Sequence, residues 1–81
     1  MTVNDAVAKR ISALLQEKRI SQYRLERESG IQHGSKQCIM NGRNKTVTLS
    51  TVMMLAKGFQ MSLTEFLDDD VFRSENLEIE Q

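Results

Sequence analysis

"SQYRLERESGIQHGSKQCIMNGR", residues 21–43, decides the fold of this chain. Ser21 is able to cap a helix over about residues 22–28, and Gly30 is able to end it, because glycine readily adopts the positive φ that follows many helices. A further helix of the same size fits about residues 33–40, and an Asn-Gly pair predicts a turn after it. Two short helices joined by a few residues around a glycine form a recognisable supersecondary motif.

The segments on either side of this motif predict three more helices. The first covers about residues 4–18, with Asn4 expected to cap it. A fourth follows Thr48, and a fifth follows the capping box of Ser62 and Glu65. The apolar residues expected on the buried faces are Val7, Ile11, Leu14, Leu15, Leu25, Val52, Leu55, Ala56 and Phe59. The chain contains no proline, so the sequence predicts an all-α domain.

Length and composition limit the class of protein. A chain of 81 residues suits one small domain, because so short a chain cannot divide its core. Its single cysteine allows no internal disulfide, as is typical of the reducing cytoplasm. No apolar run approaches the roughly 18 residues of a membrane span, and the N-terminus lacks the core of a secretion signal. The sequence therefore predicts a cytoplasmic protein with no membrane partner.

The net charge of zero conceals a strong asymmetry along the chain. Residues 1–60 contain ten Lys or Arg and four Asp or Glu, a net charge of +6, whereas residues 61–81 have one Arg and seven acids, a net charge of −6. No acidic residue lies between Glu28 and Glu65. The motif therefore lies in a locally positive segment that an anion such as a phosphate backbone can use.

The last residues have a different pattern from the rest. "NLEIE", residues 76–80, alternates apolar and acidic residues and places Leu77 and Ile79 on one side. Such alternation is typical of a strand. A lone strand in a helical domain either lies extended over the body or pairs with the same segment of a second copy.

The only histidine and the only cysteine, His33 and Cys38, lie close together in sequence. A zinc site is disfavoured because tetrahedral zinc needs four ligands. A nucleophilic pair is disfavoured because no orienting third group or oxyanion donor is visible. We therefore expect no metal, no cofactor and no enzymatic activity.

The chain resembles the Cro and phage-repressor type (XRE-like) helix-turn-helix regulators over about residues 8–68. The resemblance depends on the capped helix at Ser21, the turn "ESGI", the "NGR" that closes the third helix and the segment "TLSTVMMLAKGFQMSLTEFL". It implies a five-helix lambda-repressor-like DNA-binding domain over residues 1–68 and a short extended C-terminal tail over residues 69–81.

The polar side of the third helix is expected to face double-stranded DNA, because the major groove admits one helix that carries slim, hydrogen-bonding side chains. On a helical wheel His33, Gln37 and Asn41 share one stripe, while Lys36 and Ile39 turn the other way. The resemblance implies base reading by His33, Gln37 and Cys38. It implies phosphate contacts from Gln22, Ser35, Asn41, Arg43 and Lys45.

Several residues depart from the family pattern. Glu26 stands where a small residue is usual, and Lys36 stands where an apolar residue is usual. We expect the stem of Lys36 to follow the core and its amine to reach solvent, or to pair with Glu26. Gln32 is a poor cap and Gly34 weakens the first turn, so we expect the third helix to fray at its start and to begin only at Ser35 in the free protein.

The resemblance implies a transcriptional regulator, which we expect to be a repressor. One short helix reads few base pairs, so a homodimer on a two-fold operator is expected. The residues available for dimerisation are Phe66, Leu67, Val71, Phe72, Leu77 and Ile79. The alternative is an antitoxin-like or phage control module whose tail binds a partner protein. No small-molecule substrate is expected in either case.

Overall fold

The computed structural model of the chain describes residues 1–44, 46–73 and 77. It contains α1 (Val3–Lys18), α2 (Gln22–Ser29), α3 (His33–Met40), α4 (Leu49–Gly58), α5 (Leu63–Leu67) and a 3₁₀ turn at Asp70–Phe72. No strand occurs in these described ranges. The prediction of an all-α, five-helix fold is confirmed. The strand pattern "NLEIE" lies outside the described residues except for Leu77.

The expected caps of three helices are confirmed. The hydroxyls of Ser21, Thr48 and Ser62 each accept a hydrogen bond from a backbone N–H in the first turn of α2, α4 and α5. Ser62 and Glu65 form the predicted capping box. Gly30 ends α2 at a φ of 78°, in the left-handed region where glycine is favoured.

The prediction that Asn4 caps α1 is wrong. Thr2 is the N-cap and forms a capping box with Asp5. Because α1 therefore starts one residue earlier than expected, Asn4 falls on the inward stripe with Val7, where it is completely buried. Its side-chain amide donates to the Ile39 carbonyl at 3.0 Å and ties α1 to α3.

The core draws apolar side chains from all five helices. Its buried members are Val7, Ile11, Leu14, Leu25, Ile31, Ile39, Val52, Leu55, Ala56, Phe59 and Phe66. The Phe66 ring stacks on Phe59 with 6.4 Å between centroids and contacts Phe72 at 6.1 Å. Phe66 is fully buried within the chain, so the prediction that it contributes to a dimer interface is corrected.

Arg10 fastens the C-terminal end of α5 to α1. Its guanidinium donates to the carbonyls of Phe66 at 2.8 Å and Glu65 at 3.0 Å, and it pairs with Asp69 at 3.2 Å. The Phe66 carbonyl belongs to the last turn of α5, where backbone acceptors lack a partner within the helix, whereas the Glu65 carbonyl also accepts from the Asp68 N–H at 3.2 Å. Arg10 therefore satisfies the end of α5 and holds Asp69, the first residue of the tail, on the domain.

Gly58 permits the close packing of α4 against α2. A Cβ at this position would lie 2.6 Å from the Ser29 Cβ and 2.9 Å from the Leu25 Cδ1. Both atoms belong to α2, so a larger residue would force the two helices apart. Since α2 carries the first half of the helix-turn-helix, this contact also fixes where α3 begins.

Gly58→Ala should therefore lower the free energy of unfolding by about 1–3 kcal/mol, the usual cost of overpacking a core. Gly34→Ala is the matched control, because a Cβ at Gly34 meets nothing within 4 Å. It should raise the free energy of unfolding by about 0.5–1 kcal/mol through helix propensity alone. Urea denaturation followed by circular dichroism measures both. Equal effects of the two substitutions would contradict the proposed helix contact.

Candidate functional site

The helix-turn-helix places two different faces on α3. Lys36 and Ile39 are buried, as the helical wheel predicts. His33, Gln37 and Asn41 are exposed and recur every four residues, so they form one stripe along the helix. We call these three residues the outward stripe.

Lys36 joins α3 to α2 through a polar contact beneath the outward stripe. The residue is only 3% exposed, and its Nζ donates to Gln22 Oε1 at 2.5 Å and to Glu26 Oε2 at 3.0 Å. The expected pairing with Glu26 is confirmed. The expectation that the amine reaches solvent is wrong, because two acceptors on α2 hold it inside.

Glu26 also contacts the outward stripe. Its Oε2 lies 3.1 Å and its Oε1 3.2 Å from His33 Nδ1. The pKa of Glu26 lies below its ordinary value, first because Lys36 donates to the carboxylate and then because His33 contacts it, while burial opposes both. Glu26 is therefore ionised at neutral pH. One carboxylate thus holds a buried cation and one edge of an exposed imidazole.

The prediction that α3 begins only at Ser35 is wrong. The helix begins at His33, and its first intrahelical hydrogen bond runs from Lys36 N to Gln32 O at 3.0 Å. Gln32 provides no side-chain cap, as expected. The contact of His33 with Glu26 instead anchors the first turn of α3 to α2 from outside the helix.

The loop after α3 folds back onto the end of the helix. Gly42 has a φ of 74°, and the backbone N–H of Arg43 donates to Asn41 Oδ1 at 3.2 Å and to the Cys38 carbonyl at 3.1 Å. The Arg43 side chain is exposed and makes no ion pair within residues 1–44, 46–73 and 77. Its charge therefore projects to solvent from a fixed point beside the outward stripe.

A cleft of about 600 Å³ separates α3 from the start of α4. Ser35 and Cys38 line its α3 side, and Asn44, Thr46 and Thr48 line the other. Cys38 is half-buried, so it borders the outward stripe without sharing its exposure. Lys45 and Ile79 lie outside the described residues.

Sequence reasoning assigned Gln22 to a phosphate and missed its contact with Lys36. The sequence did contain a signal for a polar contact between the two helices, since two unusual residues of opposite charge, Glu26 and Lys36, occur where the helices cross. It did not show that Gln22 completes this contact, because glutamine is common on solvent-facing helix surfaces.

The described part of the chain contains neither a metal-binding cluster nor a membrane-spanning helix. No group of three or more His, Cys, Asp or Glu is arranged to hold a metal ion there. None of the helices in that part is both long enough and apolar enough to cross a bilayer.

Comparison with protein families gives a match to a DNA-binding domain. The family model of the Cro/C1-type HTH DNA-binding domain matches residues 10–70 of the 81 in the chain. The matched range runs from α1 to the 3₁₀ turn and includes the whole helix-turn-helix. No curated protein and no solved structure matches the chain.

The contact between Lys36 and Glu26 predicts an order of stabilities. Glu26→Ala should lower the urea midpoint most, because it leaves a buried ammonium without its counter-charge. Lys36→Met should lower it less, because Glu26 keeps His33 and can reach water. The double variant, with the small and apolar residues usual in the family, should return to within about 1 kcal/mol of the original protein.

Acid titration of the same variants checks the sign of the pKa change. A glutamate whose folded pKa is lowered stabilises the fold at neutral pH and loses that contribution as pH falls below its ordinary pKa of about 4.3. The double variant should therefore lose less stability between pH 7 and pH 3 than the original protein. An equal loss would contradict the proposed contact, since Asp5 and Glu65 titrate in both proteins.

Proposed function

The chain belongs to the Cro/C1-type HTH DNA-binding domain family, and from this premise we propose that it is a cytoplasmic, sequence-specific transcriptional repressor that binds an operator as a homodimer. The observation that carries the proposal is the outward stripe. His33, Gln37 and Asn41 are exposed together on a helix whose opposite face is buried. The major groove of DNA, about 12 Å wide, admits one helix with this arrangement.

Base reading is proposed for the outward stripe. Gln37 is exposed, and its carboxamide is able both to accept from and to donate to an adenine edge. His33 presents its free ring edge beside it. Cys38 is half-buried and is a weak donor, so its proposed role is apolar contact with a thymine methyl group.

Phosphate binding is proposed for the ends of the motif. Gln22 Oε1 accepts from Lys36, and Asn41 Oδ1 accepts from the Arg43 backbone. Both carboxamides therefore keep their NH₂ groups as donors, the polarity that a phosphate oxygen requires. Arg43 adds a charge that pairs with no acid among the described residues, and Ser35 adds a hydroxyl at the edge of the cleft. Lys45 remains a proposed contact from the sequence alone.

Dimerisation is proposed through the C-terminal segment, residues 69–81, together with the end of α5. Leu67 is 37% exposed, while Val71, Phe72 and Leu77 are only partly buried. A second copy is required for selectivity, because each base pair read by one helix contributes only about 1–3 kcal/mol. Two copies would read half-sites about 34 Å apart, one turn of DNA.

Binding to duplex DNA at several salt concentrations tests the proposed contacts. Arg43→Ala should weaken binding to all sequences alike and reduce the slope of log affinity against log salt by about 1, because one phosphate contact is lost. Gln37→Ala should instead change the preferred base at one position, at a cost of about 1–3 kcal/mol on the original site.

Lys18→Ala is the matched control for the loss of one positive charge. Lys18 is the last residue of α1 and lies about 20 Å along that helix from Asn4, at 1.5 Å per residue. Asn4 is the residue of α1 that contacts the end of α3, so Lys18 is far from the proposed DNA-binding face. Lys18→Ala should leave the slope of log affinity against log salt nearly unchanged. An equal reduction from Lys18→Ala and Arg43→Ala would contradict the proposed DNA-binding face.

Sedimentation of the protein without DNA tests the dimer. The original protein should have the mass of two chains, and Leu67→Glu should give a monomer because a charge would be buried in the interface. Met53→Glu is the control, since Met53 is 52% exposed on α4, outside the proposed interface. A monomeric original protein would contradict the dimer and favour the alternative, a tail that binds a different protein.

A further inference from the structure

The contact between Glu26 and His33 determines which ring nitrogen of His33 carries a proton. An ionised carboxylate has only acceptors, so the imidazole must donate to it. Both Glu26 oxygens lie beside Nδ1, at 3.1 and 3.2 Å, and Nδ1 therefore carries the proton. In a neutral imidazole the other nitrogen, Nε2, is then an acceptor.

The acceptor nitrogen of His33 is available to another molecule. The His33 side chain is 65% exposed, and no described residue forms a hydrogen bond to Nε2. Because Nδ1 is held against α2, the rigid ring turns its opposite edge away from the protein. His33 therefore presents a lone pair at the start of the outward stripe.

We propose that Glu26 is a positioning residue that sets the DNA specificity of His33, so that His33 reads a base with an amino group in the major groove. This inference rests on the proposed function. Only adenine, through N6, and cytosine, through N4, offer a donor there. Guanine and thymine present acceptors at the corresponding edge and face the His33 lone pair unfavourably.

The test is selection of bound duplexes from a random pool at pH 8. His33→Ala identifies the base position that depends on His33. The original protein should favour adenine or cytosine there by about tenfold. The position that Gln37 reads, identified with Gln37→Ala, is the internal control and should not change when the partner of His33 Nδ1 is removed.

A second variant separates positioning from mere stability. The double substitution Glu26→Ala with Lys36→Met removes the partner of Nδ1 and leaves no unpaired charge in the core. Either ring nitrogen can then carry the proton, so the preference for an amino-bearing base at pH 8 should fall to about twofold or less. Circular dichroism confirms that this variant is folded, and the base preference of the original protein is tested without it.

The outcomes distinguish the inference from the proposed function. If the original protein selects a sequence with guanine or thymine at the His33 position, the inference is overturned and the proposed function stands. The same holds if the folded double variant keeps the full preference at pH 8. If no sequence is enriched and binding does not fall with salt, the proposed function fails, and the inference fails with it.

Discussion

The buried ammonium of Lys36 constrains the helix-turn-helix more than any other single group. A charge in the interior is tolerated only when acceptors reach it, and here Gln22 and Glu26 both do so from α2. Helix α3 cannot slide or rotate against α2 without breaking these bonds. The outward stripe therefore keeps its direction because of a contact on the other side of the helix.

Positive and negative charges lie in different parts of the molecule, although the net charge is zero. The three aspartates at residues 68–70 are paired, Asp69 with Arg10 of α1 and both Asp68 and Asp70 with Arg73. Arg43, beside the outward stripe, has no such partner in the described ranges. Positive charge is therefore left at the proposed DNA-binding face, while the charges of these three aspartates are compensated.

The fold was predictable because each helix carries local start and stop signals. Ser21, Gly30 and Ser62 act within a few residues of where they occur, so the sequence alone places them. Asn4 was misassigned because asparagine caps a helix at least as well as threonine, and the buried contact of Asn4 with the Ile39 carbonyl decided between them. The contact of Gln22 with Lys36 was not predictable, because it depends on the distance between two helices. Whether the outward stripe reads bases depends on a partner molecule and remains a proposal.

The most direct test of this account is a titration of the isotope-labelled protein with a DNA duplex, followed by amide chemical shifts. The account predicts that the largest changes occur along α3 and at Arg43, with the side-chain amides of Gln22 and Gln37 shifting as well. Amides at the end of α1 and in α5 should change least. Changes centred on α5 and the 3₁₀ turn, with α3 unaffected, would contradict the claim that the outward stripe is the face that binds DNA.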